Sequence, residues 1–295
     1  MSLAENAVIS NQLKEAVVGK AITRTVANQN PHSFVWFATE GENAFSGDRA
    51  LNAERAAKYD GLLTGNALRK SDVIGAYGAW NFLYAGDRAL MFNIPTRYFA
   101  PGEPLPKRHQ LLLTLEDGAS LAMCGSLGGP IFLFEVDGRG YPIVWPSHDF
   151  PSVLSDGFTE DFFLGLIEQT ELRSLSAKAF LAARNRIPGI DNYILHELLW
   201  EAEVNPKSKM AALAAEDFKR MHAAIVRTFP AVIAAGGQDT EKDLYGNFGG
   251  YVTKASKNTL GKPCARCGAV IVKESYLGGA VYYCPGCQPV VGLRK

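Results

Sequence analysis

Residues 264–288 read CARCGAVIVKESYLGGAVYYCPGCQ. Two Cys-x2-Cys pairs, Cys264 with Cys267 and Cys284 with Cys287, are separated by sixteen residues. Each pair sets two thiolates on one tight turn, and two pairs supply the four soft ligands that Zn²⁺ takes in a tetrahedron. Two disulfides would suit a small secreted domain better than a 295-residue chain whose first residues lack the basic-then-apolar order of an export signal. One structural Zn²⁺ on Cys264, Cys267, Cys284 and Cys287 is therefore expected, and residues 261–288 read as a zinc finger. The fifth cysteine, Cys124, lies in an apolar stretch between Met123 and Gly125 and reads as a small buried hydrophobe.

Charge sharpens the reading of the finger. The chain as a whole is neutral, but residues 250–295 carry seven basic side chains (Lys254, Lys257, Lys262, Arg266, Lys273, Arg294, Lys295) against Glu274 alone. A basic surface beside a finger suits phosphate contact, because neutralising phosphates releases condensed counterions. A solvated basic tail is the alternative for Arg294 and Lys295. Hydrophobic residues make up 47% and charged residues 20% of the chain, a balance that excludes wholesale disorder. No apolar run approaches the roughly twenty residues needed to cross a bilayer. An intracellular, reducing location is expected.

Moving toward the N-terminus, residues 192–202 and 214–228 have helical spacing of apolar positions, as do 159–169 and 176–184. Pro188-Gly189 predicts a tight turn, with Asn192 opening the helix that follows. Exposed N–H groups around Gly189 at such a helix start form an anion site, although an ordinary capped helix looks the same in sequence. Gly236-Gly237-Gln238-Asp239-Thr240 and the run YGNFGGY (residues 245–251) predict loops whose rings either stack on bases or pack inward. Residues 141–157, rich in proline and turn formers, read as a linker.

Residues 5–18 predict a first helix ended by Gly19. After it come short β-rich runs at 21–27, 33–38, 73–84, 89–94, 111–115, 120–123 and 131–136, with helical character around 50–58. Glu116-Asp117-Gly118 is a hairpin signal. The expected architecture is α+β: an antiparallel β-sandwich domain over residues 1–140, the linker 141–157, a helical domain over 158–260 and the finger. The five histidines (His32, His109, His148, His196, His222) have no metal spacing and read as structural or surface residues.

Together these segments resemble the formamidopyrimidine-DNA glycosylase/endonuclease VIII family. The resemblance rests on the finger with its CPGCQ ending, on the Gly-x-x-Asn core at Gly189–Asn192, on the GGQDT stretch and on the order of the parts. It implies that residues 187–206 form a helix–two-turn–helix motif in which Asn192 hydrogen-bonds a DNA phosphate. Gly189, Lys254, Lys257 and Lys273 join it as candidate DNA contacts. The implied partner is double-stranded DNA, damaged or abasic, held in the cleft between the two domains by a monomer. A damaged base must be flipped from the stack before its glycosidic carbon can be attacked. The implied location is cytoplasmic, on the nucleoid if the cell is bacterial.

The same resemblance exposes departures at the catalytic end. The family begins Pro-Glu-Leu-Pro-Glu and uses the proline amine to form a Schiff base; this chain begins Met-Ser-Leu-Ala-Glu. Its helper lysine, in an Arg-Gly-Lys-Tyr strand, falls on Ala79 of Tyr77-Gly78-Ala79-Trp80. Its void-filling loop appears as residues 125–129, and the phosphate-binding arginine of its finger falls on Gly279. Two explanations follow. In one, Met1 is removed because Ser2 is small, the Ser2 α-amine is the nucleophile and Glu5 handles protons; an α-amine with a pKa near ~8 is partly unprotonated at neutral pH. In the other, the chain binds damaged DNA without glycosylase chemistry. An expression leader at Met1-Ser2-Leu3 would account for the N-terminus but not for Ala79 or Gly279.

Overall fold

The computed structural model describes residues 1–28, 35–39, 48–75, 79–125, 129–136, 150–183 and 186–292. Ser2 caps the first helix, α1 (Leu3–Ala16), accepting from the N–H groups of Ala4 and Glu5. Gly19, at φ 94°, takes the left-handed turn that ends this segment, where a side chain would be strained. The first turn of α1 buries Leu3 and Ala4 in one apolar core, while Ile9 and Leu13 enter another. One short helix thus belongs to both halves of the fold.

The β-rich half contains β1 (Ile22–Ala27), β2 (Val35–Thr39), α2 (Arg49–Leu63), β3 (Leu68–Ile74), β4 (Trp80–Ala85), β5 (Arg88–Phe92), β6 (Thr96–Phe99), β7 (Leu111–Leu115), β8 (Ser120–Met123) and β9 (Gly129–Glu135). They form a four-stranded sheet in the order β1-β7-β8-β6 and a five-stranded sheet in the order β2-β9-β5-β4-β3. Leucines and phenylalanines from both sheets, with Tyr59 and Leu63 of α2, fill the core. Gly118 (φ 82°) makes the β7–β8 turn that Glu116-Asp117-Gly118 predicts.

Several details differ from the sequence reading. The pairing is not antiparallel throughout, because β2 runs parallel to β9. These strands come from distant parts of the chain, so no hairpin dictates their direction. The continuous run expected at 73–84 is two strands, β3 and β4, which pair antiparallel with each other. β6 has too little apolar alternation to be legible. Most of the linker expected at 141–157 lies outside the described residues, as do His32, His148, Tyr77, Gly78, Arg184, Arg294, Lys295 and residues 126–128.

The helical half contains α3 (Glu160–Glu168), α4 (Thr170–Arg173), α5 (Ala177–Ala182), α6 (Asn192–Glu201) and α7 (Ala215–Ala234). α7 runs past the expected end at Thr228, straight through Pro230. Proline removes one helical hydrogen bond, to the carbonyl of Val226, but Val226 is exposed, and Phe229 and Val232 keep the buried stripe continuous. The finger adds β10 (Val272–Tyr276) and β11 (Gly279–Tyr283), paired antiparallel around Leu277-Gly278. Both turn residues have positive φ, 49° and 74°, as a two-residue hairpin turn requires. Among the described residues no helix is long and apolar enough to cross a membrane.

Candidate metal centre and nucleic-acid interface

The four finger cysteines converge, with all Sγ atoms within 4.8 Å of one another. Cys264 and Cys287 are 3.8 Å apart, Cys267 and Cys284 are 3.4 Å apart, and all four are free thiols. Zn–S bonds of about 2.3 Å in a tetrahedron set sulfur separations near ~3.8 Å, so the donor set and its spacing fit Zn²⁺. Two of the sulfurs accept hydrogen bonds. The Trp200 indole N–H donates to Cys264 Sγ at 3.4 Å, and the Cys287 N–H donates to Cys284 Sγ at 3.4 Å. Bound there, the metal would lock two turns that have little core of their own.

The finger is seated on α6. The closing residue of CPGCQ, Gln288, is fully buried; its Oε1 accepts from the Cys284 N–H and its Nε2 donates to the Val204 carbonyl. Asn205 Nδ2 donates back to the Gln288 carbonyl at 2.8 Å. Arg266 lies 4.0 Å over the Trp200 ring and pairs with Glu201 and Glu203, so this basic residue is committed to the seat. Glu197 Oε1 accepts from the Lys254 and Ala255 N–H groups, both at 2.8 Å, clasping α6 to the segment that enters the finger. Burial raises the Glu197 pKa to about 7 against those two hydrogen bonds.

At the start of α6, Asn192 opens the helix as expected. Asp191 caps it, accepting from the Tyr193 and Ile194 N–H groups. The donors read as an anion site are thus partly occupied by the chain's own carboxylate. Gly189 (φ 94°) is required for packing: a Cβ there would lie 2.7 Å from Leu3 Cβ, and its carbonyl accepts from the Leu3 N–H at 2.9 Å. Asn192 turns toward the finger, donating from Nδ2 to the Ala280 carbonyl at 3.0 Å.

Between α5, α6 and the hairpin lies a cavity of about 650 Å³. Asn192 and Lys257 line it, together with Lys178, His196, Gly279 and the exposed hairpin tip Leu277. Of the other basic candidates, Lys254 sits 4.0 Å over the Tyr251 ring and donates to the Val252 carbonyl, and Lys273 lies outside, on the far flank of the hairpin. The glycine loops are knitted to each other: a Cβ on Gly249 would sit 2.0 Å from the Gly237 carbonyl carbon, and the Tyr251 N–H donates to the Gly237 carbonyl. Their backbone is fixed while Tyr245 and Phe248 keep exposed rings.

Opposite the Gly189 turn is the N-terminal corner. The Met1 α-amine stands 3.8 Å from Asp191 Oδ2, and the Met1 carbonyl accepts from Asn6 and Asn93 side-chain amides. Ser2 is fully buried and hydrogen-bonds Glu5 Oε2, and Asn81 donates to Asn6. Burial, then the charge of Asp191, raises the Glu5 pKa to about 8, so the carboxyl holds its proton at neutral pH. Among the described residues its other oxygen has no partner. Ala79 is buried in the helical core with Leu3 and Ala4. Trp80 is half-buried against Phe132, and Cys124 is half-buried, its thiol pushed up to about 11 by burial.

Sequence reasoning missed Lys178 and passed over His196. A lysine inside the short apolar helix AKAFLA was the available signal. His196 gave none, because its neighbours across the cavity come from the finger.

No protein-family model matches the chain. It is 30% identical over 195 residues to the formamidopyrimidine-DNA glycosylase of Roseiflexus sp. strain RS-1, covering 64% of this chain and 68% of that one. It is 32% identical over 149 residues to the same-named protein of Acidothermus cellulolyticus, covering 49% and 51%. The chain thus spans about half the length of the first curated relatives it matches. The fold is shared with solved structures at a TM-score of 0.73 over 98% of this chain. They include the Lactococcus lactis Fpg in complex with abasic-site DNA, at 18% identity and 100% coverage of that chain, and MutM (Fpg) of Thermus thermophilus, at 20% and 99%.

Proposed function

Since this chain belongs to the formamidopyrimidine-DNA glycosylase family, we propose that it is a DNA-binding protein of base-excision repair, a glycosylase and abasic-site lyase acting through an N-terminal amine. The observation that carries this reading is the meeting of three parts at one corner. The chain's α-amine stands at Asp191, one residue from Asn192, and Asn192 hydrogen-bonds the finger hairpin. A duplex gripped by α6 and the finger would therefore have its sugar–phosphate backbone beside a terminal amine.

In this reading the finger cysteines hold Zn²⁺, which supplies rigidity and no chemistry. Asn192, the Gly189 turn, Lys254, Lys257 and Lys273 contact phosphate, the protein acts as a monomer, and residues 187–206 serve as a helix–two-turn–helix. A terminal amine attacks the sugar carbon and displaces the damaged base. Glu5, protonated at neutral pH, is suited to give a proton to the leaving group. Removal of Met1 would make Ser2 the amine donor.

A second reading, damaged-DNA binding without turnover, is favoured by Ala79. That side chain is packed in the helical core, where a catalytic lysine would need a different neighbourhood. Borohydride trapping on an abasic-site duplex separates the two. A covalent adduct is expected; duplex binding at low salt with neither adduct nor strand cleavage would leave only the binding reading.

A further inference from the structure

The cavity between α5, α6 and the hairpin holds a lysine that the reading above does not use. Lys178 is only 7% exposed, and its Nζ donates to the Tyr276 carbonyl at 2.7 Å. Among the described residues no carboxylate pairs with it. Burial lowers its pKa from the ordinary lysine value, which favours the free amine. A desolvated lysine facing a cavity is the usual setting of an imine-forming amine.

What uncovers this amine is Gly279. Its backbone lies outside the left-handed region, so its conformation does not call for glycine. A Cβ there would lie 3.4 Å from Lys178 Nζ and 3.6 Å from Asn192 Oδ1, which is ordinary contact. Any longer side chain would extend from that point across the amine. The cavity is open to Lys178 because residue 279 has no side chain.

A second, independent observation points to a ligand in the same space. His196 lines the cavity, is 2% exposed, and its Nε2 has no hydrogen-bond partner among the described residues. Orphaned buried ring nitrogens are uncommon in folded proteins. Burial, and with it the charge of Lys178, hold the His196 pKa near 4 against the Ala280 carbonyl, so the imidazole is neutral.

We propose that Lys178 is a second imine-forming amine, acting on the ring-opened aldehyde of an abasic deoxyribose, with His196 as its proton acceptor. The inference rests on abasic-site DNA being the substrate. The Nζ lone pair attacks the C1′ aldehyde carbon, and the carbinolamine takes up a proton from solvent and loses water to give a protonated imine. That imine withdraws electrons, a proton passes from C2′ to His196, and the C3′–O bond breaks with its electron pair leaving on the 3′ phosphate. Hydrolysis of the imine regenerates the amine.

The test is borohydride trapping of the full-length, zinc-loaded protein on an abasic-site duplex, with the adduct mapped by peptide mass spectrometry. An adduct is expected on the peptide containing Lys178, and Lys178→Arg, which keeps the charge, is expected to abolish that adduct while leaving the one on the terminal residue. Gly279→Arg leaves Lys178 in place but covers it, and should diminish the adduct while strengthening duplex binding. His196→Gln should preserve trapping but slow strand cleavage about a hundredfold, the scale of a lost general base. Circular dichroism and zinc content of each variant show whether it has folded. An adduct confined to the terminal residue, unchanged in folded Lys178→Arg, overturns this inference and leaves the proposed function standing. Duplex binding without any adduct overturns both imine routes, and failure to bind duplex at low salt sinks the proposed function and the inference with it.

Discussion

The finger seat and the N-terminal corner are both built from buried polar groups, yet they are finished differently. At the seat, Gln288, Asn205 and Arg266 each find partners on or beside α6, and Glu197 anchors one oxygen on two backbone N–H groups while its other oxygen is unpartnered among the described residues. At the corner, Glu5 and Asn81 each keep a buried oxygen without a partner among the described residues. The Glu5 carboxyl titrates near 8 because it is desolvated beside Asp191. The difference lies in what holds each carboxyl: two backbone N–H groups fix Glu197 across the joint, whereas Glu5 faces a second carboxylate.

That contrast can be broken from the scaffold side first. Cys284 is fully buried among the four thiols, and Cys284→Ser should drop bound zinc from about one per chain to well below it and open the hairpin to protease. Structural zinc in finger peptides contributes on the order of 10–16 kcal/mol of apparent binding free energy, so this is the largest effect expected. Metal analysis and limited proteolysis read it; a zinc-free protein with an intact, protected hairpin would refute it.

The corner makes a prediction about pH. The folded Glu5 pKa of about 8 lies above the ordinary 4.5, so the folded state binds the proton more tightly. The associated stability is complete below pH 4.5 and declines as pH rises to about 8, by up to ~1.4 kcal/mol per unit. Glu5→Gln should flatten that decline, and its thermal midpoint should exceed that of the parent at pH 8. Parallel curves for the two proteins between pH 5 and pH 8 would mean that Glu5 is not the group titrating.

The smallest effect sharpens the seat. Glu197→Ala removes the acceptor of the Lys254 and Ala255 N–H groups and should cost about 2 kcal/mol, the penalty for stranding buried donors. Denaturant unfolding measures it. A loss below about 0.5 kcal/mol would show that water replaces the carboxylate and that the clasp is not structural.

Legibility followed the range of the interactions. The cysteine pairs, the Asp117-Gly118 turn and the amphipathic α7 are local patterns, and each was readable. The β2–β9 parallel pair was not, since nothing in either strand names its partner. The opening of α6 at Asn192 was readable, but not that its side chain would donate to the Ala280 carbonyl of the finger, 88 residues on. Lys178 looked like one solvated lysine among many until a hairpin about a hundred residues away covered it.

The sequence by itself determined the four converging cysteines, the order of the parts and the membership implied by CPGCQ and Gly189–Asn192, because each depends on residue type at fixed spacing. Only the tertiary structure decided which groups are desolvated together. Glu5 meets Asp191, and Lys178 meets His196 across the gap above Gly279, through packing of elements far apart in the chain. Burial, unlike ligand spacing, is a property of the surrounding fold, and it is burial that sets the protonation of these groups.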